Sequence, residues 1–120
     1  VYDYRNIEVT IDEQDIFNVT MNESLAVALL TNLLKNAFVH NIDEGHIRIT
    51  VTKNSITFRN SGVENPLDKE HIFERFYQGT KKEGSTGLGL AIADSICRLQ
   101  HLSIRYYFEQ KEHCFEISRQ

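Results

Sequence analysis

Apolar and polar positions alternate along this chain in runs whose period changes from two to nearly four and back. Ile7, Val9 and Ile11 are separated by polar residues, the period-two pattern of a half-buried strand. Asp12-Glu-Gln-Asp15 reads as a polar turn and Ile16 to Thr20 as a second short strand. Asn22 is a residue type that caps helices, and the following stretch, Ser24 to Asn41, carries Leu25, Leu29, Leu33 and Ala37 four residues apart. That spacing predicts a long helix with one apolar stripe. After Asp43-Glu-Gly45, the runs Ile47 to Thr52 and Ile56 to Arg59 flank Lys53-Asn54, which predicts a hairpin. Asn60-Ser-Gly62 is a turn signal, Pro66 keeps the chain in a loop, and Asp68 can cap a short helix through Phe76. Gly79 to Thr86 is polar, contains glycine and reads as a mobile loop. Gly87 to Leu99 returns to helical spacing through Leu88, Ala91, Ile92, Ile96 and Leu99. Leu102 to Phe108 and Cys114 to Ser118 predict a closing hairpin.

This order predicts an α/β two-layer sandwich: a mixed, mainly antiparallel sheet covered on one face by helices, with its other face partly wet. No strand, phosphate loop and helix follow one another as a dinucleotide-binding or P-loop unit requires. The 120 residues suit one domain with one core, spanning 1–120. With 41% apolar and 25% charged residues the chain has an ordinary globular composition, and no apolar run approaches the length of a membrane span. Val1 to Arg5 lacks the basic-then-apolar order of a secretory signal; the domain is expected to be cytoplasmic. The net charge of −4, with both signs interspersed, argues against nucleic acid as a partner. Cys97 and Cys114 form no disulfide framework or metal ladder; they read as two buried thiols. His113, beside Cys114 on a strand, should point to the opposite face.

Four stretches carry candidate chemistry. Asn32, Asn36 and His40 stand four apart, hence on one stripe of the long helix. Asparagine is a mediocre helix former, so the pair serves either to tie the helix to a loop or to meet a ligand; an amide oxygen is a hard donor suited to Mg²⁺. Asn60-Ser-Gly62 is, taken alone, an ordinary turn. Phe73, Phe76 and Tyr77 would give a short helix an aromatic face, for packing or for anchoring the base of the next loop. Gly84-Ser-Thr-Gly87-Leu-Gly89 leads into a helix start, whose free N–H groups and positive dipole end suit a phosphate. The plain alternative is a glycine turn capping an ordinary helix. Gly89 costs roughly 1 kcal/mol against alanine in a helix, so a close approach should offset it.

With these residues in place, a resemblance is evident. Asn32-Leu-Leu-Lys-Asn36-Ala resembles the asparagine box of sensor histidine kinases, Ile72-Phe-Glu-Arg-Phe-Tyr77 their phenylalanine box, and Thr86-Gly-Leu-Gly-Leu-Ala-Ile92 their second glycine box. The order is theirs and covers nearly the whole chain. The resemblance implies the Bergerat ATP-binding fold, shared with gyrase, heat-shock chaperone and mismatch-repair ATPases. It implies ATP and Mg²⁺ as cofactors and transfer of the γ-phosphoryl group to a histidine on a separate dimerisation domain. It implies Asn36 as the Mg²⁺ ligand, with Asn32 supporting catalysis from the same helix face. Asn60 would accept a bond from the adenine amino group, Gly62 would let the base sit against the backbone, and His40 would line the pocket or cap its helix. Thr86, Gly87, Leu88 and Gly89 would cradle the phosphates beneath a lid running from Gln78 to Thr86.

The chain departs from the family's pattern in ways that bear on activity. Asn60 replaces an aspartate, Glu64 a second glycine, Val39 a basic residue, Gln78 an arginine, and Lys111-Glu-His113 a glycine-threonine turn. No histidine is followed by an acidic residue in the manner of the family's phosphoacceptor, so the acceptor should lie elsewhere. The expected partners are that dimerisation domain and a response regulator, within a full-length homodimer for which a membrane anchor is one arrangement the family uses. The competing reading is a degenerate, non-catalytic regulatory module with weak or no nucleotide binding. An anti-sigma-factor serine kinase of the same fold fits less well, because the phenylalanine box belongs to the histidine kinases.

Overall fold

A computed structural model describes residues 6–74 and 88–120. Five strands and two helices follow in the order β1 (Glu8–Glu13), α1 (Glu23–Val39), β2 (His46–Val51), β3 (Ser55–Asn60), α2 (Gly89–Leu99), β4 (Leu102–Glu109) and β5 (Glu112–Arg119). The strands form one sheet in the order β1-β2-β3-β5-β4. β1 pairs with β2 in parallel, and all other pairs are antiparallel. The sandwich expected from the apolar pattern is therefore present, with both helices packed against each other on one face of a mixed sheet.

Each element has a local cause. Asn22 caps α1 by accepting a hydrogen bond from the Ser24 amide at 2.7 Å. The four-residue stripe buries Leu29, Leu33 and Ala37. Thr52, through its hydroxyl, closes the β2–β3 turn onto the Asn54 and Ser55 amides. The β4–β5 turn consists of Gln110 and Lys111, both with positive φ (52° and 64°), the geometry of a tight two-residue hairpin. Leu29 and Leu33 meet Ala93, Ile96 and Cys97 of α2 and the inward residues Phe58, Tyr106, Phe115 and Ile117 of the sheet. Ile72 joins this core, and Phe73 sets its ring edge-on to Phe115 at 6.2 Å.

Three sequence expectations need correction. β1 is present, but all six of its residues are exposed: it is an edge strand that the helices do not cover, so Ile11 remains 66% exposed despite its alternation. Ile16 to Thr20 is not a strand. Phe17 packs against the core while Ile16 and Val19 face outward, and Arg119 fixes the segment by donating to the Asn18 carbonyl and lying over the Phe17 ring at 4.7 Å. The first strand consequently has no hairpin partner and reaches the sheet through the α1 crossover. Asp68 to Glu74 forms successive turns rather than a helix, with Asp68 accepting from the Glu70 amide and the His71 amide bonding the Asp68 carbonyl. The helix bounds also tighten: α1 stops at Val39, and α2 begins at Gly89 with no side-chain cap.

The outer face of the sheet is wet but ordered by charge. Glu112 lies buried between Arg48, at 2.9 Å, and His46, at 2.6 Å. Arg59 reaches Glu109 and the Cys114 sulfur, and Arg105 pairs with Glu116. Cys114 therefore belongs to this face and His113 to the helix-facing one, as the alternation of a strand requires. Burial pushes the Cys97 and Cys114 thiols up to about 11.

Candidate functional site

One end of the sheet, on the helix side, gathers most of the buried polar groups. Asn60 ends β3, opposite Ile47 on one side and His113 on the other. The residue is 2% exposed. Its Nδ2 group donates to the Ser61 carbonyl at 2.8 Å, which fixes the amide orientation and turns Oδ1 the other way. That Oδ1 is buried and has no partner among the described residues. A buried acceptor left bare costs about 1–3 kcal/mol, so this atom is suited to receive a donor from outside.

The chain around Asn60 is held by two polar knots. In the first, Asn41 is wholly buried at the end of α1. Its Nδ2 donates to the Ala37 and His46 carbonyls, and its Oδ1 accepts from the Ile42 amide and the Ser61 hydroxyl. Ser61 in turn accepts from the His46 amide. In the second, His113 bonds the Val63 carbonyl at 2.6 Å through Nε2, which must therefore carry the proton. Nδ1 is then free to accept from the Tyr106 hydroxyl at 2.7 Å, and that hydroxyl accepts from the Leu67 amide at 2.9 Å. Burial holds His113 below the ordinary imidazole range, against the raising effect of its bond to Val63. A neutral ring with its proton on Nε2 fits this chain of bonds.

The residues singled out by sequence fall as follows. Asn32, Asn36 and His40 lie along α1 and are half-buried. Asn32 donates to the Ala28 carbonyl at 2.7 Å, so its Oδ1 faces away from its own helix turn. An added Cβ on Gly89 would stand 3.2 Å from that Oδ1. The close approach at Gly89 is thus made, at least in part, by Asn32, and the two residues are brought together where α1 meets the start of α2. His40 caps α1, its amide bonding the Asn36 carbonyl at 3.1 Å. Gly62 has no room for a side chain: a Cβ would lie 2.8 Å from the His40 carbonyl oxygen and 3.2 Å from the His113 ring. The glycine therefore lets the loop press against the helix end, which brings His40, Asn60 and Gly62 into one corner. Leu88 precedes α2 and caps it without a side-chain bond. Thr86 and Gly87, the lid stretch from Gln78 to Thr86, and the aromatic pair Phe76 and Tyr77 lie outside the described residues.

The altered positions have structural counterparts. Val39 is 4% exposed and packed in the interior, so this position serves packing rather than charge. Glu64 is exposed on the loop. Sequence reasoning missed Asn41, Gly45, Ser61 and the His113–Tyr106 pair. Asn41 stood at the end of the predicted helix, and Gly45, Ser61, Tyr106 and His113 lay in segments that read as turn or strand.

Comparison with known proteins agrees with this fold. Residues 21–118 match the model of the histidine kinase-, DNA gyrase B- and HSP90-like ATPase family. The sensor histidine kinase RppB of Synechocystis sp. is 42% identical over 84 residues, covering 62% of this chain and 18% of that protein. The heme sensor protein HssS of Staphylococcus epidermidis is 33% identical over 119 residues, covering 89% of this chain and 26% of that protein. The chain thus spans about a quarter or less of the curated relatives it matches. Among solved structures, the nucleotide-free catalytic domain of histidine kinase ThkA superposes with a TM-score of 0.80 at 25% identity, over 96% of this chain and 79% of that one. The mycobacterial sensor histidine kinase MprB shares the fold at a TM-score of 0.80, with 18% identity, over 98% of this chain and 89% of that one. A mixed sheet under two helices, an asparagine stripe on the first helix and a match across nearly the whole chain place this protein in the histidine kinase-, DNA gyrase B- and HSP90-like ATPase family.

Proposed function

We propose that this chain is the ATP-binding catalytic domain of a sensor histidine kinase and transfers the γ-phosphoryl group of ATP to a histidine on a separate dimerisation domain. The observation that carries the reading is the buried Oδ1 of Asn60, which has no partner among the described residues and is set in the corner formed by the end of α1 and the loop at Gly62. The exocyclic amino group of adenine is a donor of the kind that atom accepts. An acceptor at Asn60, in place of an aspartate, forms this bond without charge.

From that corner the α1 stripe runs through His40 and Asn36 to Asn32, which touches the start of α2. A helix N-terminus such as that of α2 presents backbone N–H groups and a positive dipole end suited to phosphate oxygens. Asn36, half-buried in the middle of the stripe, is the residue we assign to Mg²⁺, with an amide oxygen of the hardness that ion takes. Bound there, Mg²⁺ would neutralise charge on the phosphates. Phosphoryl transfer asks mainly for positioning and charge neutralisation, so these residues need supply no covalent step. Histidine kinase ThkA, solved in complex with the response regulator protein TrrA, supports a response regulator as the downstream partner here. A homodimeric full-length protein carrying the dimerisation domain completes the proposal.

Titration calorimetry with Mg-ATP on the wild type and on Asn36→Ala tests the reading. The wild type should bind, and the variant should stay folded and lose the Mg²⁺-dependent part of the affinity. Equal binding by both would remove Asn36 from the site. The neutral Asn60 and the buried Val39 favour a second reading, a kinase-like regulatory module without catalysis. Absence of heat from the wild type at millimolar Mg-ATP would establish that one instead.

A further inference from the structure

We infer that His113 is a positioning residue for base recognition: with Tyr106 it clamps the loop from Ser61 to Leu67 and so aims the Asn60 carboxamide. The inference rests on the reading that adenine is held at Asn60.

The contacts fall on successive residues of one short loop. Asn60 sits directly opposite His113 in the β3–β5 register. The Asn60 amide is oriented by the Ser61 carbonyl. Gly62 has its Cα face against the His113 ring, with 3.2 Å between a would-be Cβ and Cδ2. Val63 gives its carbonyl to Nε2 at 2.6 Å, and Leu67 gives its amide to the Tyr106 hydroxyl that His113 holds. The imidazole therefore links both ends of the loop to the β4–β5 hairpin, 50 residues away in sequence.

The ring itself is closely packed. It is 4% exposed, stacks on Tyr106 at 5.9 Å and tilts against Phe108 at 4.8 Å. The hairpin that carries it turns on two residues of positive φ, so its register is fixed. A shift of the loop would move the Ser61 carbonyl, and the Asn60 amide with it. A side chain that only filled space at position 113 would need neither ring nitrogen. Here both nitrogens are used, in one tautomer: Nε2 by the Val63 carbonyl of the loop, Nδ1 by the Tyr106 hydroxyl that in turn holds the Leu67 amide.

The test compares binding of ATP with that of inosine triphosphate, whose base has a carbonyl where adenine has the amino group. Both are measured by calorimetry with Mg²⁺ on the wild type, His113→Phe and Tyr106→Phe. His113→Phe keeps an aromatic ring and removes both bonds. Tyr106→Phe removes the hydroxyl between His113 and Leu67. Wild-type protein should prefer ATP. Each variant should lose about tenfold of that preference, the size of one well-made hydrogen bond, while triphosphate binding itself persists. The double variant should lose little more than either single, because the two act through one chain of bonds. A purely structural role would lower the melting temperature and leave the preference unchanged below it. Unchanged preference in the folded variants would therefore overturn the clamp. Should His113→Phe fail to fold, Tyr106→Phe decides alone by the same criterion. Equal binding of ATP and inosine triphosphate by the wild type would instead remove Asn60 from the base site, and the clamp's function with it.

Discussion

Gly45→Ala isolates the first of the two polar knots. The backbone at Gly45 is not left-handed, so the obstacle to a side chain is space alone. A Cβ there would stand 2.1 Å from the Asn41 Oδ1, 2.4 Å from the Ser61 hydroxyl and 2.9 Å from the Ile42 carbonyl. Neither side-chain atom can swing away cheaply. Asn41 is 0% exposed and held by bonds from both ends of its amide. Displacing its Oδ1 breaks the bonds from the Ile42 amide and the Ser61 hydroxyl, each contributing about 1 kcal/mol net. Forcing a methyl into a filled site adds about 1–3 kcal/mol. The expected loss is therefore about 3–5 kcal/mol, a large share of the roughly 5–15 kcal/mol that holds an ordinary domain together.

Urea denaturation followed by circular dichroism measures this directly, with thermal melting as a second readout. The midpoint temperature should fall by roughly 10–20 °C for a domain of this size. The slope against urea should stay unchanged, because the surface exposed on unfolding is the same. The same substitution in a Ser61→Ala background should cost less by about 1 kcal/mol, since one clashing atom and one bond to Asn41 are already gone. A loss within about 0.5 kcal/mol of wild type would refute the reasoning, because a surface glycine behaves that way.

Two further outcomes follow from the buried titratable groups. Burial lowers the pKa of His113 in the folded protein, whereas the unfolded chain protonates near the ordinary value of about 6.5. Below that pH the unfolded state binds the extra proton, so His113 should lower stability on acidification from about pH 7.5 to 5.5, with a slope of at most about 1.4 kcal/mol per pH unit. His71, which Asp68 holds above the ordinary range at the exposed turn, acts in the opposite sense. Urea titration of the wild type against His113→Phe removes that common part, and a difference independent of pH would count against a neutral buried imidazole. Cys97 and Cys114 are buried thiols with pKa values pushed up to about 11, so an aromatic disulfide reagent at pH 8 should label neither until urea unfolds the domain. Prompt labelling of the native protein would contradict the packing of α2 and β5.

The parts of this fold that were legible in the sequence are those fixed by short-range periodicity. The Leu25, Leu29, Leu33, Ala37 series decides which side of α1 meets the sheet, and Thr52 to Ser55 closes its hairpin within four residues. The parts that were not legible depend on partners far along the chain. Ile16 to Thr20 has the composition of a strand, but Arg119, 101 residues away, fixes it as irregular chain. β1 has the alternation of a half-buried strand, yet the helices sit over the other strands and leave it at the edge. The asparagine stripe was readable, since i and i+4 positions share a helix face. The knots were not: Ser61 reaches Asn41 across 20 residues and His113 reaches Val63 across 50.

That distribution of polar groups is itself an argument about the site. The two ends of the sheet are closed differently. At the end of the β2–β3 turn, exposed hydroxyl and backbone bonds suffice, with Arg119 donating to the Lys53 carbonyl. At the opposite end Asn41, Asn60, Ser61 and His113 are all buried; the Asn41–Ser61 bond ties the end of α1 to the loop, and the His113–Val63 bond ties β5 to it. A core built only for stability would fill these positions with apolar side chains, because buried polar groups contribute little net energy even when fully bonded. Every polar side chain in this cluster is hydrogen-bonded except at Asn60 Oδ1. An aspartate at that position, 2% exposed, would cost several kcal/mol unless paired, whereas the carboxamide spends its N–H on Ser61 and keeps one uncharged acceptor. The departure at Asn60 thus preserves the acceptor while lowering the cost of burying it. Stability has been given up at one end of the sheet, around the one oxygen proposed to receive the adenine amino group, and functional sites are where local rules are expected to fail.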